Sequence, residues 1–205
     1  EEVMCACCNQ NLPRTGYARN ACDNRLVRLF WGRIPIERGA SLFFYKAHSD
    51  TSRLLYQLKY GGHPETGDLL GRLVADEFAA DGFFDGFTAL VPVPLARQRE
   101  RERGYNQSVE IARGISTATG IPVVGNVLER ISFHGSQTQK SRWERNENVE
   151  KAFRLTDASA VRNRHVLLVD DVITTGATLV AAARALLKAG SVKVSVLSLG
   201  FANNE

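Results

Sequence analysis

The stretch HVLLVDDVITTGATL, residues 165 to 179, sets two adjacent carboxylates, Asp170 and Asp171, between an apolar run and a turn of hydroxyls and glycine. In that turn Thr174, Thr175, Gly176 and Thr178 supply what an anion needs. Glycine lets it approach the backbone, the free amides of a starting helix point at it, and the hydroxyls add donors. A phosphate fits there. Two acids do not share one anion comfortably, so their own partners are hydroxyls of the molecule that carries the phosphate, or a divalent cation. A sugar phosphate meets both demands. Helix capping and turn satisfaction explain any one of these residues but not the whole run. A response-regulator receiver, which also has an acid pair after an apolar strand, needs a domain of about 100 residues beyond it; only 34 of the 205 residues follow Asp171.

A second concentration of chemistry is VPVPLARQRERERGYNQS at 91 to 108, where a proline-stiffened strand end leads into Arg97, Arg99, Arg101 and Arg103. Arginine forks suit bidentate phosphate contacts, and the prolines fix the loop that delivers them. The alternating glutamates also fit a solvated helix start, which serves Arg99 and Arg101 equally well and leaves Arg97 and Arg103 as the stronger phosphate candidates. RISFHGSQTQKSRWERNENV, at 130 to 149, is polar and basic, the size of a lid over a site and also the composition of an ordinary surface loop. Its candidate contacts are Gln137, Thr138, Lys140, Arg142 and Arg145. Lys59 and Tyr60 stand before the Gly61-Gly62 break, where solvent for the lysine and packing for the tyrosine compete with a place at the site.

All four cysteines precede residue 23. Cys5 and Cys8 form one C-x-x-C pair, Cys7 and Cys22 remain, and a structural zinc needs four ligands. His48, His63, His134 and His165 show no ligand spacing.

These groups need a scaffold. Val166 to Val169 read as a strand buried on both faces, whose carboxyl end is where an open α/β sheet presents its site. Strands are expected over 40–45, 88–94, 121–127, 149–155, 165–170 and 192–200. Helices are expected from Ser49 or Asp50 to Tyr60, with Leu54, Leu55 and Leu58 on one face; over about 64–80, with Leu69, Leu70, Leu73 and Phe78 inward; over 105–119; and over 177–189, with Leu179, Ala183, Leu186 and Leu187 inward. That alternation predicts an α/β protein with a mainly parallel sheet covered by helices. Residues 1–38, rich in turn formers, read as a small cysteine-containing knuckle or arm, and 39–205 as the main domain.

With 205 residues, 44% hydrophobic and 23% charged, the chain can bury one good core, and it holds no apolar run long enough to span a bilayer. The N-terminal residues have neither the basic nor the apolar region of a secretory signal, so cytoplasm is the expected location. A net charge of +4 mildly favours phosphorylated or nucleic-acid partners. Aromatic residues interleaved with basic ones are sparse: Trp143, and Phe30 with Trp31, for which packing of the arm on the core is the plainer explanation.

VLLVDDVITTGATL resembles the phosphoribosyl-pyrophosphate (PRPP) signature of type I phosphoribosyltransferases. With VPVPL, RGYNQS and LKYGG at 58–62, the chain from Leu58 onward resembles the ComF/GntX branch of that family. The resemblance implies a type I phosphoribosyltransferase fold, a mainly parallel twisted sheet flanked by helices with a flexible hood, beside the N-terminal knuckle. It implies that the catalytic pair Asp170 and Asp171 binds the ribose hydroxyls, and that the ribose 5-phosphate loop continues through Val172, Ile173, Thr174, Thr175, Gly176, Ala177 and Thr178. Pyrophosphate would meet Leu95, Ala96 and Arg97, with Arg103. Tyr105, Asn106 and Gln107 would open the following helix beside the substrate, and Gln137, Lys140 and Arg142 would close over it from the hood. Magnesium is the implied cofactor. Zinc on Cys5, Cys8 and Cys22 is the second, although CDNR stands where such proteins have another C-x-x-C pair. The implied activity is pentosyl transfer from PRPP, or another pentose 5-phosphate, with the acceptor open. The alternative is a non-catalytic accessory protein for DNA uptake that binds single-stranded DNA or a partner helicase.

Overall fold

In the computed structural model, which describes residues 12–131 and 152–202, strands and helices are interspersed along the chain, with helix pairs between the first strands. They are α1 (Arg25–Arg28), β1 (Gly39–Tyr45), α2 (Asp50–Tyr60), α3 (Pro64–Ala79), β2 (Ala89–Pro92), α4 (Arg97–Arg103), α5 (Gln107–Thr119), β3 (Leu128–Arg130), β4 (Phe153–Leu155), β5 (His165–Ile173), α6 (Ala177–Leu187) and β6 (Lys193–Ala202). β1, β6, β5 and β2 pair in that order, all parallel, and β3 pairs antiparallel with β4. Central β5 and β6 are buried along most of their length, Ser195 and Ser198 included, because helices cover both faces of the sheet.

The expected elements form, with shifts that have physical causes. Leu69, expected to face inward, is 67% exposed. The buried stripe of α3 is Gly67, Leu70, Gly71, Val74, Ala75 and Phe78, at helical spacing, and it meets α5 at very short range. A Cβ at Gly71 would collide with the Ile111 carbonyl and one at Gly114 with the Asp68 carbonyl, so this helix contact needs the glycines. The stretch 121–127 contributes only a bridge, Val123 to Leu90, before β3 begins at Leu128. Pro122 has no amide to donate, though its carbonyl accepts from Leu90 N at 2.9 Å. The arginine run forms its own helix, α4, which Gly104 ends at φ 80°, and α5 starts anew at Asn106, whose side chain accepts from Ser108 N.

The described part of the N-terminal segment, 12–38, shares the main core. Leu26 and Phe30 are fully buried, and Asn24 caps α1 while donating to the Gly39 carbonyl. Trp31, by contrast, is 61% exposed and lies under the Arg28 guanidinium.

Candidate active site

β5 continues three residues beyond Asp170, and strand alternation gives the two carboxylates different partners. Asp170 Oδ1 accepts from Ser108 Oγ at 3.3 Å and from the Asp171 amide at 2.9 Å. Asp171 Oδ2 pairs with Lys59 Nζ at 3.0 Å. Burial at the floor of the cleft pushes the Asp170 carboxyl up to about 7, with the neighbouring Asp171 charge adding to it. The Asp171 amide, Lys59 and Ser108 act against that rise. One rim of Asp170 still reaches water, so the desolvation is that of a crevice rather than of a sealed core.

After β5 the chain turns through Thr174 and Thr175, both exposed, to Gly176, the left-handed N-cap of α6 at φ 71°. The first amides of a helix have no intrahelical acceptor, so they face the turn's interior. Residues 170 and 172–179 enclose about 40 Å³ there, where about 10–15 Å³ of such space holds one water. The turn is braced from the N-terminal segment: Arg33 Nη1 donates to the Thr175 carbonyl at 2.8 Å, and a Cβ at Gly176 would stand 3.2 Å from the Phe30 ring.

A cavity of about 220 Å³ joins these parts to the opposite wall. Asp170, Asp171, Val172, Thr174 and Thr178 line one side; Lys59, Val93, Pro94, Leu95, Arg99, Arg103, Gln107, Ser108 and Arg130 line the other. Burial and the adjacent Arg99 charge pull the Arg130 guanidinium below its usual value, while Asp170 pulls the other way. Two neighbouring cations in a crevice form a seat for an anion. Arg103 is held by three contacts: Nη1 on Gln107 Oε1 at 2.8 Å, Nη2 on Tyr60 Oη at 3.3 Å, and its guanidinium 5.0 Å from the Tyr60 ring centre.

The structure sorts the expected residues. Asp170, Asp171, Val172, Thr174, Thr178, Leu95 and Arg103 share the cavity. Ile173, Thr175, Gly176 and Ala177 line the adjoining turn. Arg97 does not join them: its Nη2 lies 3.0 Å from Glu129 Oε1, and with Ala96 it lines a larger neighbouring cavity. Arg99, for which a solvated helix start served equally well, lines both this neighbouring cavity and the one that holds the acid pair, whereas Arg97 lines only the neighbouring one. Tyr105 Oη donates to the Leu58 carbonyl at 2.6 Å, and Asn106 Nδ2 to the Val93 carbonyl at 3.0 Å. Both side chains therefore fasten the site's frame, and neither lines the cavity. Lys59, weighed for the site from its place before the glycine pair, lines the cavity; Ser108 and Arg130 join it without having been singled out, and Arg130 gave no signal because its place depends on the β3–β4 pairing. Gln137, Lys140 and Arg142, and Cys5 and Cys8, lie outside the described residues. Cys22 is exposed.

The parallel sheet, the acid pair on its central strand β5, the turn that follows and the arginines in the same cavity form the arrangement that the phosphoribosyltransferase resemblance implies. The family described as Phosphoribosyl transferase domain matches residues 71–202. The chain belongs to that family, in its competence protein F branch. It is similar to Competence protein F of Haemophilus influenzae, 37% identical over 112 residues, which are 54% of this chain and 49% of that one. It is also similar to DNA utilization protein YhgH of Escherichia coli K12, 32% identical over 151 residues, 72% of this chain and 66% of that one. The chain thus spans about half to two thirds of the length of these relatives. Among solved structures, adenine phosphoribosyltransferase of Leishmania donovani aligns with a TM-score of 0.44 at 14% identity, over 78% of this chain and 83% of that one. No helix among the described residues is long and apolar enough to cross a membrane.

Proposed function

We propose that the chain binds PRPP with magnesium and transfers its ribosyl 5-phosphate to a nitrogen nucleophile, releasing pyrophosphate. The observation that carries this is the single cavity in which the acid pair and the phosphate turn face Arg99, Arg103 and Arg130. The 5-phosphate takes the amides and hydroxyls of 174–178, Asp170 and Asp171 accept from the ribose hydroxyls, and the arginine wall receives the pyrophosphate. The bond from C1 to the pyrophosphate oxygen breaks with its electron pair leaving on that oxygen. The acceptor's nitrogen lone pair forms the new bond to C1 and its proton departs. Catalysis comes from orientation and from cations set where leaving-group charge develops, so no covalent nucleophile is required.

The donors present fit magnesium as a companion of the substrate: Asp170 and Asp171 are hard oxygen donors that would orient the sugar and a magnesium ion carried on its oxygens. When bound, magnesium would supply charge neutralisation of the pyrophosphate. Isothermal titration of PRPP with magnesium tests the reading. Saturable binding that disappears in the Asp170→Ala, Asp171→Ala double variant supports it; absence of binding to the wild type overturns it.

A second reading, compatible with the first, draws on the neighbouring cavity of about 970 Å³, lined by Arg97, Arg99, Arg101, Arg130 and Arg154 with only Glu102 and Glu129 against them. The relatives' names speak of competence and DNA utilization, and a basic cavity of this kind suits the phosphates of single-stranded DNA. Retention of a single-stranded oligonucleotide at low salt, weakening as salt rises, supports it. No retention at low salt removes it.

A further inference from the structure

Gln107, the first residue of α5, is 1% exposed and lines the cavity that holds the acid pair. Its carboxamide orientation is fixed by chemistry. Arg103 Nη1 lies 2.8 Å from Oε1, and a guanidinium only donates, so the oxygen must face Arg103 and the NH2 must face away. That nitrogen, Nε2, is buried and has no hydrogen-bond partner among the described residues. Buried donors are nearly always satisfied, and one left open beside a ligand cavity marks a place where the ligand supplies the acceptor. The surroundings give that acceptor its sign: Lys59, Arg99, Arg103 and Arg130 line the same cavity, four cations against the two carboxylates Asp170 and Asp171. The surroundings also give its identity, because Gln107 is bonded to the arginine wall and not to the 174–178 turn.

We infer that Gln107 Nε2 donates to an oxygen of the pyrophosphate group, making Gln107 a leaving-group contact and a determinant of selectivity for a donor that carries pyrophosphate. This rests on the PRPP reading above. The Tyr60–Arg103–Gln107 chain then acts as one unit. The tyrosine ring and hydroxyl hold the guanidinium, the guanidinium holds the carboxamide oxygen, and the carboxamide presents its NH2.

The test uses two probes by isothermal titration: inorganic pyrophosphate with magnesium, and ribose 5-phosphate. Gln107→Leu removes the donor, and Gln107→Glu removes it while keeping an acceptor for Arg103. Both variants should bind magnesium pyrophosphate about 10- to 100-fold more weakly than wild type, as loss of a hydrogen bond to a charged group implies. Ribose 5-phosphate affinity should stay within about twofold, on the same scale of free energy. The Leu variant also removes the acceptor of Arg103, so the Glu variant, which keeps it, separates loss of the donor from loss of that contact. Unchanged pyrophosphate affinity in both variants overturns the inference while leaving the PRPP reading intact. So does a parallel loss for both probes, which marks a structural residue. A wild type that binds neither probe overturns the PRPP reading and this inference with it.

Discussion

Lys59 Nζ lies 3.0 Å from Asp171 Oδ2, joining the last turn of α2 to the end of the central strand. The contact separates two carboxylates that are neighbours in sequence. Asp171 has a cation of its own, whereas Asp170 has a hydroxyl, an amide and a crevice that pushes it up to about 7. Lys59 also counts among the groups that hold Asp170 down.

Replacing Lys59 by Met should therefore act twice. The unliganded protein loses about 1–2 kcal/mol, between the values for exposed and buried ion pairs, which thermal melting reads. The pH at which Asp170 gives up its proton also rises, so PRPP binding with magnesium moves to higher pH.

Asp170 itself makes stability and binding depend on pH in opposite directions. Its folded value is raised above that of an unfolded aspartate, so the folded state holds the proton more tightly. The resulting stability is full below the unfolded value and is lost as pH rises towards 7. Relative to wild type, Asp170→Asn should melt higher at pH 8 than at pH 5. Ligand affinity should improve with pH in the wild type, where ionised Asp170 accepts from ribose hydroxyls. Against the substrate's own titration, the asparagine variant should show a flatter profile.

Much of this was legible in the sequence, because local chemistry determined it. The acids, the threonine-glycine turn and the apolar strand before them are contiguous, so strand alternation and helix-start physics place them without knowledge of the rest. The opposite wall was not legible in that way. Whether Arg97 or Arg99 faces the acids depends on the rotation of α4, and Arg130 enters only because Glu129 and Arg154 pair across β3 and β4. Tyr105 and Asn106 looked like substrate contacts from their place in RGYNQS. Their hydrogen bonds to Leu58 and Val93 instead tie three elements into the frame of the cleft.

The arginine assignment separates cleanly by mutation. Arg99→Ala and Arg130→Met should each weaken magnesium pyrophosphate about 10-fold or more, the loss expected for one charged hydrogen bond. Arg97→Ala should leave it within about twofold, since an exposed pair with Glu129 contributes at most about 1 kcal/mol. Titration of the three variants side by side reads the contrast.

Gly176→Ala tests the turn. A left-handed alanine costs about 1–2 kcal/mol, and its methyl would press on the Phe30 ring that braces the turn. The melting midpoint should fall, and ribose 5-phosphate should bind more weakly than magnesium pyrophosphate does in the same variant, because the damage lies on the phosphate side.

The most direct measurement is a crystal structure with PRPP and magnesium bound. The 5-phosphate should lie in the 174–178 turn, the ribose hydroxyls on Asp170 and Asp171, and the pyrophosphate against Arg99, Arg103 and Arg130. A sugar phosphate bound elsewhere, or a cleft that stays empty at saturating PRPP, would contradict the account.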